Sequence, residues 1–176
     1  MSDAMTALVV PIPEAEPVVG AYRQKHDPSA AWGILPHVTV LTPFVTPSRV
    51  DDALLAELAA LFADMPAFAC RFETAGRFPG IVYLAPRPAD RFRAITQRLV
   101  AQFPDCPPYG GEFERVVPHL TVLHDCADCL CERVVPCLED ELPLVAQVNE
   151  VMLFEGANRE PGWIRRARFP LGSPTG

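Results

Sequence analysis

Two periods run through this chain. Apolar and polar residues alternate at 36–41, the period of a strand with one face in a core, and 68–74 reads as another strand. Apolar runs at 6–12, 81–85 and 145–155, and the stretch 162–169, read as further strands bounded by Gly, Pro or polar residues. Between them apolar residues recur at helical spacing. Residues 14–26 and 50–63 predict helices, the second with Leu54, Leu55, Leu58 and Leu61 along one side. Residues 88–103 predict another, opened by a proline at a tolerated early position and carrying Phe92, Ile95, Leu99 and Val100 on one face. Residues 127–138 predict a shorter one. Such alternation can mark a parallel α/β fold, but no glycine-rich phosphate loop follows the first strand, and the close strands at 68–74 and 81–85 read as antiparallel neighbours. The expected class is therefore α+β. No linker, low-complexity stretch or charge block divides the chain, so residues 1–176 are expected to form a single domain.

One phrase occurs twice: Pro36-His37-Val38-Thr39-Val40-Leu41 and Pro118-His119-Leu120-Thr121-Val122-Leu123. The single exchange, Val38 for Leu120, replaces one apolar residue with another. Side chains alternate across a strand, so His37 and Thr39 share one face while Val38 and Val40 share the other, and His119 with Thr121 repeats this. A proline opens each stretch, where its missing N–H removes least from a ladder. A lone strand histidine is usually structural, and threonine is common in strands because it is β-branched. The same hexapeptide twice is harder to explain that way. It suggests one site built from two halves, each supplying an imidazole and a hydroxyl.

Two H-x-T-x strands half a domain apart resemble the two-histidine phosphoesterase superfamily, which includes the 2′-5′ RNA ligases and 2′,3′-cyclic nucleotide phosphodiesterases. The order of elements also resembles that family: helix, strand, a Gly-aromatic-Pro turn (Gly76-Arg77-Phe78-Pro79-Gly80), strand, helix, a stretch at 113–123 with the second motif, and closing strands. The resemblance implies two pseudo-symmetric lobes, each an antiparallel sheet backed by helices, with the site in the cleft between them. It also implies acid-base roles for His37 and His119 and phosphate contacts for Thr39 and Thr121.

The chemistry needs those residue types. An imidazole with an ordinary pKa near ~6.5 serves as acid or base around neutrality. Two of them flanking a phosphodiester can take a proton from an attacking water and give one to a departing ribose oxygen. Threonine hydroxyls can hydrogen-bond the non-bridging oxygens as charge builds on them. No cofactor and no metal is expected. Phe44, Arg77, Tyr83 and Arg115 are candidate substrate contacts by proximity along the chain. His124 stands where some relatives carry an arginine. On a continuing strand it would face away from His119.

Composition narrows the picture. Apolar content of 49% with 21% charged residues is ordinary for a globular protein, and no apolar run approaches the ~18 residues that cross a bilayer. The acidic start makes a poor secretory signal, so a cytoplasmic, non-membrane monomer is expected. A net charge of −7 argues against gripping long nucleic acid, which leaves an RNA end or a small nucleotide as the expected partner. Lys25 is the only lysine, and several arginines (Arg71, Arg77, Arg115, Arg165, Arg166, Arg168) fall near the motif-bearing elements. The six cysteines read as reduced thiols, and Cys126, Cys129, Cys131 and Cys137 crowd one region. A zinc hydrolase using His119, His124 and these thiols is one competing reading, although no second spaced ligand pair accompanies them. A non-catalytic RNA or nucleotide-binding module of the same fold is another. Binding alone does not need paired acid-base groups.

Overall fold

The strand and helix periods resolve into two four-stranded antiparallel sheets with helices packed on them. The structure, a computed structural model, describes residues 4–113 and 115–173. Along these the chain forms β1 (Met5–Pro11), α1 (Glu16–His26), α2 (Pro28–Ala31), β2 (His37–Leu41), α3 (Asp52–Ala63), β3 (Phe68–Phe78) and β4 (Ile81–Arg87). There follow α4 (Ala89–Gln102), β5 (Leu120–Leu123), α5 (Asp128–Glu139), β6 (Leu144–Val148), β7 (Glu150–Gly156) and β8 (Trp163–Pro170). One sheet has the order β2-β1-β7-β8 and the other β5-β4-β3-β6. The α+β class and the paired antiparallel sheets are as the sequence implied.

Each sheet places its motif strand at an edge, and the two edges, β2 and β5, meet. The helices stitch this seam. α1 packs on β5 and α4 packs on β2, while α3 covers β8 and α5 covers β3. The inward faces of both motif strands therefore enter one apolar core: Val38 and Val40 from β2, Leu120 and Val122 from β5, with Val19 of α1 and Phe92, Ile95 and Leu99 of α4. Burying such side chains contributes about 1.5–3 kcal/mol each, which fixes strand register and so fixes which residues face outward. Thr96 of α4 adds a directed tie, its buried hydroxyl donating to the carbonyl of Val40 at 2.8 Å. The N-terminus of α3 is capped by the Asp51 carboxylate, which accepts from the Leu54 N–H at 2.8 Å.

Four expectations need correction. The run 145–155 is not one strand: it breaks at exposed Asn149, with β6 pairing to β3 in one sheet and β7 joining the other. Both halves have strand-like composition, so periodicity could not show the crossing. The expected turn at 76–80 is mostly strand, since β3 runs on to Phe78 and only Pro79-Gly80 turns, with Gly80 at φ +71°. Strand geometry in the stretch 113–123 begins only at Leu120, and Glu114 lies outside the described residues. Finally, the thiols are not all reduced. Cys126 and Cys131 form a disulfide, because α5 begins at Asp128 and turns Cys131 back over Cys126, bringing the Cα atoms to 6.5 Å. Cys70, Cys106, Cys129 and Cys137 are free. Cys129 is exposed and Cys131 buried, facing different ways on α5.

Candidate active site

In β2 the burial alternates, with His37 and Thr39 partly open and Val38 and Val40 buried. In β5, Thr121 is partly open between buried Leu120 and Val122, and His119 stands partly open just before the strand. β1 fixes one pair by the register Pro11↔His37 and Val9↔Thr39, and β4 fixes the other by Tyr83↔Thr121. Because the two edges meet, His37, Thr39, His119 and Thr121 all line one cleft of about 310 Å³.

Each imidazole is held the same way. His37 Nδ1 lies 2.7 Å from the carbonyl of Leu35, and His119 Nδ1 lies 2.7 Å from the carbonyl of Val117. A carbonyl only accepts, so Nδ1 carries the proton in both rings. In the neutral rings this leaves Nε2 as an unprotonated acceptor, the atom that can take a proton from a reactant. Matching spacing in the two motifs thus becomes matching tautomers.

The surroundings break the symmetry. Beneath His37 lies a buried ion pair between Arg23 of α1, 2% exposed, and Asp27, 5% exposed, at 2.9 Å. Arg23 also donates to the Ser29 hydroxyl and to the Ile34 carbonyl, both at 3.1 Å. Asp27 in turn accepts from the N–H of Ser29 at 3.0 Å and from its hydroxyl at 2.8 Å. The network clamps the loop that carries the Leu35 carbonyl, and Asp27, Ser29 and Ile34 also line the cleft. Burial, then the nearby Arg23 guanidinium, push His37 down to about 4, partly offset by its backbone hydrogen bond and by Asp27. His119 has aromatic neighbours instead, with Phe78 and Tyr83 edge-on at 5.4 and 5.6 Å between ring centres. It too is lowered, chiefly by burial.

The other candidate residues divide. Tyr83 stacks on Phe78 at 4.4 Å and so braces His119, and a Cβ at Gly76 would collide with its ring. Arg115 lines a second cavity that His119 also borders. Phe44 and Arg77 are not brought to the cleft. Phe44 is buried edge-on against Phe103 at 5.1 Å. Arg77 points to α5, where it pairs with Asp128 at 3.0 Å and Glu132 at 3.9 Å. Arg166 and Arg168 pair with Glu155 and Glu150, and Arg71 pairs with Glu73. Sequence reasoning missed several cleft residues: Tyr109, Asn158, Trp163, and the loop residues Asp27 and Ser29. His124 lines the cleft as well, because the strand ends at Leu123 and the chain turns through Asp125 at φ +54°. Its N–H donates to the His26 carbonyl at 2.8 Å, which anchors that turn to α1. Among the described residues no three His, Cys, Asp or Glu side chains converge as metal ligands would. No helix among them is long and apolar enough to cross a membrane.

The sequence model of the 2′-5′ RNA ligase superfamily matches residues 10–160. No curated protein matches the chain. Among solved structures, LigT of E. coli in apo form superposes with a TM-score of 0.65 at 19% identity, over 98% of this chain and 100% of that one. LigT complexed with 3′-AMP gives 0.63 at 19% identity, over 95% and 97%. TT0787 of Thermus thermophilus gives 0.67 at 16% identity, over 97% and 100%. At such identities the superpositions establish a shared fold.

Proposed function

This chain belongs to the 2′-5′ RNA ligase superfamily, and on that premise we propose that it is a metal-independent phosphoesterase acting on 2′,3′-cyclic phosphate ends, or related 2′-5′ phosphodiesters, of RNA or nucleotides. One observation carries this reading: two His-Thr pairs, from the edges of two different sheets, face one cleft with Nδ1 of each ring held by the same backbone contact, which leaves Nε2 of each ring as the nitrogen that takes up or gives a proton. LigT has been solved with 3′-AMP, ATP and NADP+, which supports a nucleotide as the occupant here. The working form we propose is a cytoplasmic monomer.

The mechanism follows from the asymmetry. His37, kept neutral by burial and by Arg23, takes a proton from water through Nε2 as the oxygen attacks phosphorus. His119, charged, gives its proton to the ribose oxygen as the P–O bond breaks. The hydroxyls of Thr39 and Thr121 donate to the non-bridging oxygens, where negative charge accumulates. Each turnover moves one proton in and one out, so the same pair runs in reverse and permits ligation.

The expected dependence on pH is specific. The neutral base is lost as pH falls through about 4, and the charged acid is lost as pH rises through a value held below 6.5. A plot of kcat/KM against pH should therefore be a bell lying on the acid side of neutrality, and the residual activity of His37→Ala should lack the low-pH limb. A strong chelator should leave the whole profile unchanged. Stoichiometric zinc whose removal abolishes turnover would replace this mechanism with a metal-dependent one.

Thr39→Ala and Thr121→Ala should each cost about 1 to 3 kcal/mol in the transition state, roughly 5- to 150-fold in kcat/KM, the worth of a hydrogen bond to a charged group. Incubation with a panel of 2′,3′- and 3′,5′-cyclic nucleotides and oligonucleotide cyclic phosphates, with products identified by mass, tests the substrate class. Turnover of the 3′,5′ compounds alone would refute it.

A further inference from the structure

The sheet face that carries His119 and Thr121 does not end at the cleft. Thr121 pairs with Tyr83 of β4, and Tyr83 with Gly76 of β3, so these side chains point the same way. Two residues further along β4, Ala85 pairs with Thr74, and beyond it Arg87 pairs with Arg71. The intervening Val82, Leu84 and Pro86, with Cys70 and Phe72 of β3, are buried on the opposite side. The outward face is thus continuous from a catalytic imidazole to two guanidiniums, which lie about 13 Å from Tyr83 along the strand. Arg93 of α4 joins them: Arg71, Ala85, Arg87, Asp90 and Arg93 line one open cavity of about 670 Å³. Like charges directly opposite on neighbouring strands are destabilising, and here they are only partly answered. Glu73 is shared between Arg71 at 3.5 Å and Arg87 at 3.9 Å, and Asp90 takes Arg93 at 2.6 Å. All five side chains are exposed, so water screens these pairs and an anion can displace them.

We propose that this arginine pocket is a second phosphate site, which takes a backbone phosphate of the RNA chain whose cyclic end lies between His37 and His119. The inference rests on the phosphoesterase reading for where that end sits, and adds that the substrate is an oligonucleotide. A 2′,3′-cyclic phosphate occupies the last sugar of a chain, so the other nucleotides leave the cleft through that sugar's 5′ oxygen. A stacked strand rises ~3.4 Å per nucleotide, so a phosphate about four nucleotides in reaches the arginines. Between the two ends the face carries the small residues Gly76, Thr74 and Ala85, which leave room for a strand to lie on it. Guanidiniums offer phosphate a planar, forked set of donors. The net charge of −7 fits a short reach, in which one or two phosphates are held and no long track follows.

The test is calorimetry with RNA oligonucleotides that end in a 3′-phosphate and run from about one to ten residues, at several salt concentrations. Inorganic phosphate is titrated beside them. The proteins are the intact chain, the triple variant Arg71→Ala with Arg87→Ala and Arg93→Ala, and Arg133→Ala, an exposed arginine of α5 outside the pocket. Affinity should rise at least about tenfold between one residue and about six, then level off. The triple variant should lose that rise and bind the mononucleotide as before, whereas Arg133→Ala should keep it. The slope of log affinity against log salt should be steeper for the longer chains by about 0.7 to 1.4, the release expected from one or two phosphates. Unchanged thermal unfolding checks the triple variant, and the three single variants repeat the comparison if it fails to fold. No rise with length, or a rise that survives the triple variant, overturns the assignment. So does a second equivalent of inorganic phosphate lost in the triple variant without any effect of length, which would give the pocket to a separate anion. Failure of the functional reading looks different: no cyclic phosphate is turned over, while the arginine-dependent gain with length persists.

Discussion

His37→Ala and His119→Ala should each lower turnover by about 10² to 10⁴, the usual contribution of a positioned acid or base. Both imidazoles reach the same cleft, and both are oriented by a 2.7 Å contact from Nδ1 to the carbonyl two residues earlier. Alanine removes the proton-transfer group while the buried partners, Val38 and Val40 or Leu120 and Val122, keep each edge strand in register. The folded state should therefore survive, with little change in thermal unfolding. The double variant should fall well short of the product of the two losses, because groups that act in one step are not independent. Steady-state kinetics on a cyclic nucleotide would check all three variants. Near-normal rates in the double variant would remove the histidines from the chemistry.

The largest effect on stability should come from Asp27→Ala. Arg23 and Asp27 are 2% and 5% exposed, so removing the carboxylate leaves a guanidinium buried without its counter-charge. Breaking such a pair typically costs about 3–5 kcal/mol, a large part of the roughly 5–15 kcal/mol that holds a domain together. Asp27 also accepts both hydrogen bonds from Ser29, so the loop ahead of His37 loses its anchor at the same time. Replacing both partners, Arg23→Met with Asp27→Leu, should cost much less, because no charge is stranded. Denaturant unfolding of the two variants would check the difference. A loss below about 1 kcal/mol for Asp27→Ala would show that water reaches the guanidinium and that the pair is not the buried device described.

The repeated hexapeptide was legible because strand geometry is local. Alternation alone sets His37 with Thr39 and Val38 with Val40, whatever the rest of the chain does. The helices were legible from the spacing of Leu54, Leu58 and Leu61, or of Phe92, Ile95 and Leu99. What escaped depends on contacts between distant segments. Asn149 marks a crossing between sheets inside one long stretch that reads as a single strand. His124 enters the cleft because its N–H meets the His26 carbonyl, a partner nearly a hundred residues away. Trp163 opens β8 and Tyr109 stands in the connection between α4 and β5, far apart along the second half. Arg23 and Asp27 have the spacing of an ordinary surface helix pair, but α1 packs against both β5 and α2, and the pair is buried. Arg77 shows the converse error: it is close to the motifs in sequence, but strand alternation turns it toward α5 and leaves Phe78 facing His119. The disulfide escaped because the chain looked intracellular, a prior about compartment that says nothing of how near Cys126 and Cys131 are brought.

The measurement closest to the central claim is hydrolysis of a 2′,3′-cyclic nucleotide in water enriched in heavy oxygen, with the product weighed by mass spectrometry. Direct attack of a water activated by one histidine, with proton delivery by the other, puts a single solvent oxygen into a nucleoside monophosphate. The account predicts that singly labelled product, formed with chelator present and reduced to background in the protein carrying both His37→Ala and His119→Ala. A cyclic substrate recovered unopened by the intact protein, or labelled product formed equally well without the two histidines, would contradict it.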